Sequence, residues 1–397
     1  MDYRDVPTPA FVIDQKELDA NIDGLREALD MYWPRHQIGY SVKTNSLPWL
    51  LSYMKKKLCR AEVVSSDEYA WAKCAGFLDS EIIFNGPVKG RAELESCIIA
   101  GGIANLDAQR ELDWLEELGR SGIACRVGLR VNFDVESEVP GQIGYEQDGT
   151  RFGFSVEKGG LKKAIDRIAE MENVRLSGLH MHSTSKTRSV DVYRSLAWKA
   201  VEIAEEYELD LDYVDIGGGF FGGLPEKPSF KDYIKAIAEE LSLKFDRESV
   251  TLVVEPGAAI IASPVRFIST VVDVKDLIKA RHVIVDGSRS NIDPLHSKSG
   301  YSFRLLTEGA PFSSRQMISG FTCMESDRLM EIEGKPELAV GDRIVFERVG
   351  SYTMTLNPLF ISWFPAVYVD DGASLICVRK RWVSEELFGI GNRATSE

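Results

Sequence analysis

The chain has 397 residues, of which 44% are hydrophobic, and this is enough for a large core and two domains. Its formal net charge of -14 argues against nucleic acid and anionic membranes as partners, because both require basic patches. The chain shows no apolar run of membrane-spanning length and no signal-peptide pattern at its start. We therefore expect a cytoplasmic protein.

The six cysteines are scattered along the chain and form no C-x-x-C pair. Such scattering is typical of reduced thiols in a cytoplasmic protein. Neither a disulfide scaffold nor a zinc site is therefore expected.

From its start, the chain alternates between strand and helix patterns. Pro9 to Ile13 is a strand candidate, and Asp14 and Glu17 then have the spacing of a capping box at a helix start. Further strands are predicted at 40–43, 61–65, 81–85, 103–107, 124–132, 175–182, 211–216 and 251–255. Helical patterns cover 66–75, 91–100, 108–118, 160–171, 190–208 and 230–241. This alternation predicts a (β/α)8 TIM-type barrel, with a doubly wound open sheet as the alternative.

After Pro264 the patterns are those of strands and turns, without long helices. Strands are predicted at 265–274, 282–286, 301–306, 343–349, 366–369 and 375–382. We therefore expect a C-terminal antiparallel β domain, which the strand at 9–13 joins because it precedes the first barrel helix. The predicted domains are 14–262 for the barrel, and 1–13 plus 263–397 for the β-rich domain.

Lys43 lies at the end of the strand-like run Ile38 to Asn45. An isolated lysine at a strand end is commonly a side chain that reaches water along its own stem. Here, however, several later apolar runs also end in polar residues. Because barrel enzymes keep their active sites at the carboxyl ends of the strands, these residues are expected to converge.

Three later strand ends carry candidate residues. The glycines 217–219 follow an apolar strand and let backbone N–H groups approach an anion, although glycine-rich turns are common. Glu255 ends another strand before Pro256-Gly257, where a structural acid is the alternative. His180 and His182 lie on one side of a strand, but no third ligand is near in sequence, so we expect no metal.

The whole chain resembles the fold-type III pyridoxal-phosphate decarboxylases, the family of diaminopimelate and ornithine decarboxylases, which share the alanine-racemase-type barrel. Each matching segment is short, but their order along the chain is specific. The segments are Ser41-Val42-Lys43-Thr44-Asn45, Val63-Val64-Ser65, Gly178-Leu179-His180-Met181-His182, Asp215 to Gly219, Glu255-Pro256-Gly257, Cys323 to Asp327 and Gly350-Ser351-Tyr352.

The resemblance implies pyridoxal 5'-phosphate (PLP) as cofactor. Lys43 would bind its aldehyde covalently, with an amine made nucleophilic by desolvation. Glu255 would pair with the pyridine nitrogen, and His180 would stack on the ring. The implied catalytic residues are Lys43, Cys323, Glu255 and His180. The implied cofactor-binding residues are Lys43, Arg130, His180, Ser183, Gly217, Gly218, Gly219, Glu255, Gly257 and Tyr352.

By the same resemblance, the protein is a homodimer with shared active sites. Cys323 would enter from the partner subunit and donate the proton that replaces CO2. The alternative for Cys323 is a buried structural thiol.

Three positions depart from the family pattern. Ala258 and Asp293 stand where relatives carry arginine, and Met324 stands where an acidic residue follows the cysteine. A distal carboxylate, as in meso-diaminopimelate, is best bound by arginine. We therefore expect an amino-acid substrate with a cationic or polar distal group and not meso-diaminopimelate. The implied substrate-binding residues are Asp293, Met324, Glu325 and Phe360.

Three alternatives stay open. Carboxynorspermidine decarboxylase is similar at Gly350 to Met354 but differs around the lysine. An amino-acid racemase on the same barrel favours arginine at the pyridine nitrogen, where this chain has Glu255. A non-catalytic decarboxylase-like regulatory protein would have lost cofactor contacts, whereas Lys43 and His180 are present here.

Overall fold

The computed structural model describes residues 3–143, 149–308, 312–313 and 315–391. Its strands are β1 (Ala10–Asp14), β2 (His36–Ser41), β3 (Arg60–Val63), β4 (Ile82–Phe84), β5 (Ile103–Leu106), β6 (Cys125–Asn132), β7 (Phe154–Ser155), β8 (Val174–His180), β9 (Tyr213–Asp215), β10 (Thr251–Val254), β11 (Val265–Asp276), β12 (Arg281–Val285), β13 (Phe303–Leu306), β14 (Phe312–Ser313), β15 (Gln316–Ser319), β16 (Arg328–Ile332), β17 (Lys335–Pro336), β18 (Arg343–Phe346), β19 (Ala366–Asp370) and β20 (Leu375–Arg379).

The α-helices are α1 (Gln15–Tyr32), α2 (Pro48–Lys56), α3 (Ser66–Cys74), α4 (Arg91–Ile99), α5 (Gln109–Arg120), α6 (Val135–Glu138), α7 (Gly160–Glu170), α8 (Val190–Glu206), α9 (Phe230–Leu241), α10 (Ala258–Ile261), α11 (Arg289–Ile292), α12 (Thr353–Leu356) and α13 (Ser384–Gly391). Short 3-10 helices cover Tyr3–Asp5, Val42–Thr44 and Asp79–Glu81. Of these described helices, none combines the length and the apolar character that a membrane crossing requires.

The chain divides into two compact units. One unit, Asn21–Ala259, is the barrel unit. The other, the β-rich unit, combines the residues up to Ala20 with those from Ile260 onward. The first boundary between them falls inside α1.

The barrel unit contains a closed parallel sheet. Its strands follow the order β5-β4-β3-β2-β10-β9-β8-β6, and β6 pairs again with β5, with Leu106 opposite Leu129. Eight strands in a closed ring confirm the predicted (β/α)8 barrel, and the open-sheet alternative is wrong. Each strand overlaps the segment predicted for it.

Strands and helices of the barrel follow from the pattern of apolar residues. Its strands are buried on both faces, as Ile83 and Val253 illustrate, and they therefore have nearly continuous apolar sequences. In α7, Leu161, Ala164, Ile165 and Ile168 are buried at helical spacing. The polar side of such helices stays in water, and this arrangement makes the alternation readable from sequence.

The lysine segment differs from its prediction. β2 begins earlier, at His36, and ends at Ser41, so that Lys43 lies in the 3-10 turn Val42–Thr44 and not in a strand. Pro48 begins α2, a helix that was not predicted. Proline suits the first turn of a helix because the missing N–H has no partner there in any case.

The β-rich unit is built around a mostly antiparallel sheet in the order β16-β15-β12-β11-β1-β19-β20, with β13 and β18 attached beside β11. β1 pairs antiparallel with β11 and parallel with β19, which confirms that the first strand joins this sheet. β15 and β16 were not predicted, because Gln316, Arg328 and Glu331 interrupt the apolar pattern on which a strand prediction depends.

Candidate active site

Lys43 contacts a buried acid at the carboxyl end of the barrel strands. Its Nζ donates to Glu62 Oε2 at 2.6 Å and to Ser41 Oγ at 2.7 Å. The Glu62 side chain is 1% exposed, whereas the Lys43 side chain is 40% exposed. The amine thus contacts a buried carboxylate for which no role was predicted.

An asparagine connects this pair to Glu255. Asn85 Nδ2 donates to Glu62 Oε1 at 3.2 Å and to Glu255 Oε1 at 2.5 Å. Asn105 Nδ2 donates in turn to Asn85 Oδ1 at 2.9 Å and to Asp215 Oδ2 at 3.1 Å. Side chains from six strands or strand ends thus form one hydrogen-bonded network, in which Lys43 is the partly exposed member.

The two acids on β9 and just after β10 have pKa values shifted in opposite directions. Burial, Glu255 and Glu62 raise the pKa of Asp215 well above its usual value. Burial also raises the pKa of Glu255, but His180, Asp215 and Lys43 have the larger opposite effect, so that the net pKa lies well below its usual value. Glu255 is therefore the acid of the pair that favours the charged form, and Asp215 is the one that favours the protonated form.

Two histidine rings lie beside these acids. His180 and His182 are stacked with their ring centroids 6.2 Å apart, and His180 Nε2 lies 3.5 Å from Glu255 Oε2. Within the described part of the chain, Nδ1 of His180 and Nδ1 of His182 have no hydrogen-bond partner, and the contact of His180 Nε2 with Glu255 is at the limit of hydrogen-bond length. Ligand atoms of His180, Asp215 and Glu255 lie within 4.8 Å of one another, but the raised pKa of Asp215 disfavours the ionised carboxylate that a cation would bind.

His182 is expected to make the protein's stability depend on pH. Burial, Arg130 and His180 lower its pKa from 6.5 to about 3. Between these values the unfolded chain binds a proton that the folded chain does not, so stability falls as the pH falls. For His182→Gln, we expect the loss of unfolding free energy between pH 6.5 and 5.5 to be about 1 kcal/mol smaller than in the wild type.

Urea unfolding at the two pH values measures this difference. His296→Gln is the matched control, because the His296 side chain is exposed. The same pH dependence in the wild type and His182→Gln would show that His182 takes up its proton in the folded state.

The glycines after β9 present free backbone donors. Gly217 and Gly219 have φ angles of +73° and +97°, which side chains other than glycine rarely adopt. A Cβ on Gly218 would lie 2.0 Å from the carbonyl oxygen of Glu255. The N–H groups of Gly218 and Gly219 have no acceptor in the described structure, so both can donate hydrogen bonds to a bound anion.

Arg130, on β6, is held beside His182. Its Nη2 donates to the His182 carbonyl oxygen, and its Nη1 donates to Asp107 Oδ2, both at 3.4 Å. The guanidinium carbon also lies 4.5 Å from the centre of the Phe152 ring. Arg130 Nε is buried and has no partner among the described residues, which leaves one donor for a ligand.

A buried ion pair holds the backbone of Asp107 in place. Lys89 Nζ lies 3.0 Å from Glu111 Oε2, and both side chains are 0% exposed. The same Glu111 oxygen accepts the backbone N–H of Asp107 at 2.8 Å, while Lys89 also donates to the Gly86 carbonyl oxygen at 2.8 Å. The pair therefore fixes the chain at the point where Asp107 meets Arg130.

The barrel unit thus brings most of the predicted cofactor residues into one region. Gly257 lies against the lysine turn, since a Cβ there would be 2.0 Å from Thr44 Oγ1, and Ser183 follows His182 and is partly buried. No role was predicted for several polar residues in or just after apolar strands, although a polar residue at that position could have been recognised as a candidate. They are Glu62, Asn85, Asn105, Asp107, Tyr213 and Asp215.

The other predicted site residues lie in the β-rich unit. Cys323 is exposed, in a loop that Asp327 organises. Asp327 Oδ2 accepts from the N–H and hydroxyl of Thr322 at 3.1 and 2.7 Å, and Oδ1 accepts from the Arg289 N–H at 2.8 Å. The thiol is therefore not the buried structural cysteine that was the alternative.

The predicted substrate-binding residues have unequal freedom. Met324 and Phe360 are 44% and 47% exposed, and the Glu325 side chain is fully exposed. Tyr352 is 41% exposed and has a positive φ of 61°. These four side chains are accessible within their own unit, whereas Asp293 is buried.

Asp293 serves its own unit. Its carboxylate accepts from Arg289 Nη2, Lys298 N and Tyr301 Oη, each at 3.1 Å, and from Ser297 N at 3.0 Å. Burial raises the pKa of Asp293, but these hydrogen bonds have the larger, opposite effect, and the net pKa lies below its usual value. A carboxylate with this many donors has little capacity left for a substrate.

The barrel residues fit the groups of PLP. Lys43 supplies an amine for the aldehyde, and the free N–H groups of Gly218 and Gly219 suit a phosphate. Glu255 carries the negative charge that a protonated pyridine nitrogen needs, and the buried His180 ring offers a flat face. The donors and the charge thus match the cofactor from one end to the other.

Known proteins resemble this chain over nearly its full length. It is 28% identical over 388 residues to a probable chloroplastic diaminopimelate decarboxylase of Oryza sativa subsp. japonica, with 94% of this chain and 77% of the relative covered. Solved diaminopimelate decarboxylases of M. jannaschii and of Helicobacter pylori in complex with L-lysine have TM-scores of 0.86 and 0.83, at 23% and 24% identity. Both likenesses cover 98% of this chain, and 92% and 98% of the respective structures.

The prediction that meso-diaminopimelate is not the substrate was wrong, because these relatives are diaminopimelate decarboxylases. That prediction depended on Ala258 and Asp293 standing where relatives carry arginine, and on Asp293 facing the substrate. In the structure the Asp293 carboxylate is instead satisfied by Arg289 and its neighbours. The presence of Asp293 at a family arginine position was therefore not evidence for a different substrate.

The family itself is identified by the barrel sequence. The family model described as pyridoxal-dependent decarboxylase, pyridoxal binding domain, matches residues 17–262, which is more than half of the chain. This range contains Lys43, His180, the glycines after β9 and Glu255. The chain belongs to the PLP-dependent amino-acid decarboxylases.

Proposed function

We propose that this enzyme decarboxylates meso-diaminopimelate, so that CO2 and L-lysine are the products. The observation that carries the proposal is the similarity to a probable diaminopimelate decarboxylase along 94% of the chain. The L-lysine complex of the Helicobacter pylori relative supports lysine as the product. PLP, when bound, accepts the electron pair that remains after CO2 leaves.

The residues of the barrel have distinct parts in this proposal. Lys43 holds the cofactor, and the Gly218 and Gly219 N–H groups bind its phosphate. Glu255 keeps the pyridine nitrogen protonated, since its carboxylate is ionised. Asn85 holds Glu255 and Glu62 at fixed positions, because it donates to both.

We also infer that the enzyme is a homodimer in which Cys323 of one subunit completes the active site of the other. The family resemblance supports this arrangement, as does the exposure of Cys323 on a loop that Asp327 holds in place. The thiol would donate the proton that replaces CO2 at the α-carbon. Analytical ultracentrifugation of the PLP-loaded enzyme tests the dimer, and a monomer at micromolar concentration would contradict it.

Substrate competition tests the proposed reaction. We expect kcat/KM for meso-diaminopimelate to exceed the values for L-lysine, L-ornithine, L-arginine and carboxynorspermidine by at least about tenfold, equal to about 1.4 kcal/mol. CO2 release and chiral analysis of the product measure turnover and distinguish decarboxylation from racemisation. A higher kcat/KM for any of the other amino acids would contradict the assignment of the substrate while leaving the decarboxylase chemistry intact.

A further inference from the structure

A cavity of about 440 Å³ opens at the amino ends of the barrel strands. Its lining residues stand at or near the beginnings of β2, β3, β6 and β10, whereas Lys43 and Glu255 follow the carboxyl ends of β2 and β10. The volume lies in the range of small-molecule sites, roughly 300 to 1,000 Å³. Nothing in the decarboxylase reaction makes use of this cavity.

The cavity is cationic in a protein of net charge -14. Arg35, Arg60 and Arg126 line it, and Asp212 is the acidic residue among its lining side chains. Asp212 is engaged by a further arginine, Arg175, at 3.0 Å, and lies 4.0 Å from Arg126. Arginines therefore outnumber acids locally, against the charge of the whole chain.

Two of the arginines are bonded to neutral groups. Arg35 Nε donates to Thr251 Oγ1 at 3.2 Å, and Arg60 Nη1 donates to the Ser80 carbonyl oxygen at 2.6 Å. Among the residues that the structure describes, neither guanidinium has a carboxylate within 4.0 Å. Burial lowers the pKa of Arg60, so an anion beside it would relieve an unfavourable charge.

A second and independent observation comes from a neutral side chain that lines the same cavity. Ser177 is 1% exposed, and its Oγ is buried without a hydrogen-bond partner in the described structure. A hydroxyl can donate a hydrogen bond to an anion. Buried polar atoms nearly always have partners, so the unpartnered hydroxyl indicates a missing ligand.

We propose that this cavity is a binding site for a small multivalent oxyanion that carries phosphate or carboxylate groups. Arg35, Arg60 and Arg126 supply charged donors, and Ser177 supplies a hydroxyl. Guanidinium groups form charge-assisted, often bidentate bonds with both kinds of group. Because the folded barrel assembles these donors from separate strands, the anion stabilises the folded enzyme.

The test uses PLP-loaded enzyme freed of excess cofactor, with pyrophosphate and citrate as separate probes. Isothermal titration calorimetry is expected to show saturable binding of at least one probe, and thermal unfolding a Tm increase that sodium chloride of equal ionic strength does not produce. Binding of pyrophosphate alone identifies a phosphate ligand, and binding of citrate alone a carboxylate ligand. The double variant Arg35→Gln and Arg126→Gln is expected to weaken binding at least about tenfold.

One control variant and one further variant test whether binding is specific to the cavity. Arg120→Gln removes an exposed arginine that pairs with Glu116 on α5, and it should leave the affinity unchanged. Ser177→Ala tests the buried hydroxyl and should weaken binding about threefold or more. Failure of wild-type enzyme to bind either probe would overturn the proposal, as would equal affinities in the wild type and the folded double variant.

Discussion

Replacing Lys43 by alanine is expected to lower kcat for CO2 release by at least about a thousandfold, or about 4 kcal/mol of transition-state stabilisation. The amine is the partner of the cofactor, and no other lysine is described beside Glu62. Glu62 is left without its cation but keeps Ser41 and Asn85 as donors. Because the Lys43 side chain is 40% exposed, we expect a modest stability loss of about 1–3 kcal/mol.

The matched control is Lys55→Ala. Lys55 lies 2.6 Å from Glu81 and is 32% exposed, so its ion pair resembles that of Lys43 in length and accessibility. Its removal should leave kcat unchanged. Borohydride reduction of the wild type followed by peptide mass spectrometry should place a phosphopyridoxyl group on Lys43. A label on another lysine would contradict the role of Lys43.

The Lys43→Ala protein also tests the shared active sites. Mixed with inactive Cys323→Ala protein under conditions of subunit exchange, it should form heterodimers that each contain one intact site. Equal amounts should therefore recover about a quarter of the wild-type activity, since half of the dimers are mixed in a twofold assembly. Confirmed exchange without recovered activity would show that the thiol does not act across subunits.

Replacing Lys89 by methionine is expected to destabilise the enzyme by about 3–5 kcal/mol, because the fully buried Glu111 loses its hydrogen-bonded cation and keeps only Arg110, 3.9 Å away. Burial already lowers the pKa of Lys89, and Glu111 opposes this shift. The double variant Lys89→Met and Glu111→Leu should recover much of the loss, since it removes both buried charges. Urea unfolding with unchanged m-values measures the coupling.

Lys162→Met provides the comparison on the surface. Lys162 lies 2.6 Å from Asp166, one helical turn away, but the side chains are 58% and 54% exposed. Its loss should cost less than about 0.5 kcal/mol, because exposed pairs are screened by water. Similar losses for Lys89→Met and Lys162→Met would show that water reaches the Glu111 site in the folded protein.

The barrel was predictable because each buried strand imposes an apolar run and each covering helix an amphipathic pattern. Lys43 and Glu255 could be found by the same logic, as polar residues at strand ends, and the family resemblance then gave them roles. Local pattern was a poorer guide in the β-rich unit, where charged residues such as Arg328 and Glu331 conceal β16.

The partners inside the site could not be predicted from local sequence. Asn85 bonds to Glu255, 170 positions away, and Asn105 bonds to Asp215, 110 positions away. These contacts form only when the barrel closes, and the periodic pattern of apolar residues does not predict them. At Asp293 the sequence was misleading. Its presence in place of a family arginine suggested a new specificity, whereas its carboxylate is hydrogen-bonded to neighbours within eight residues.

The bridging position of Asn85 has a consequence for kinetics. Glu62 and Glu255 share one amide donor, and Asp215 reaches the same asparagine through Asn105, so a change of proton occupancy at Asp215 or Glu255 alters the field at the other. The limbs of a pH–rate profile will therefore report macroscopic constants of this pair and not of a single carboxyl group. Replacing one member should move both limbs together, as a shift of the entire titration curve.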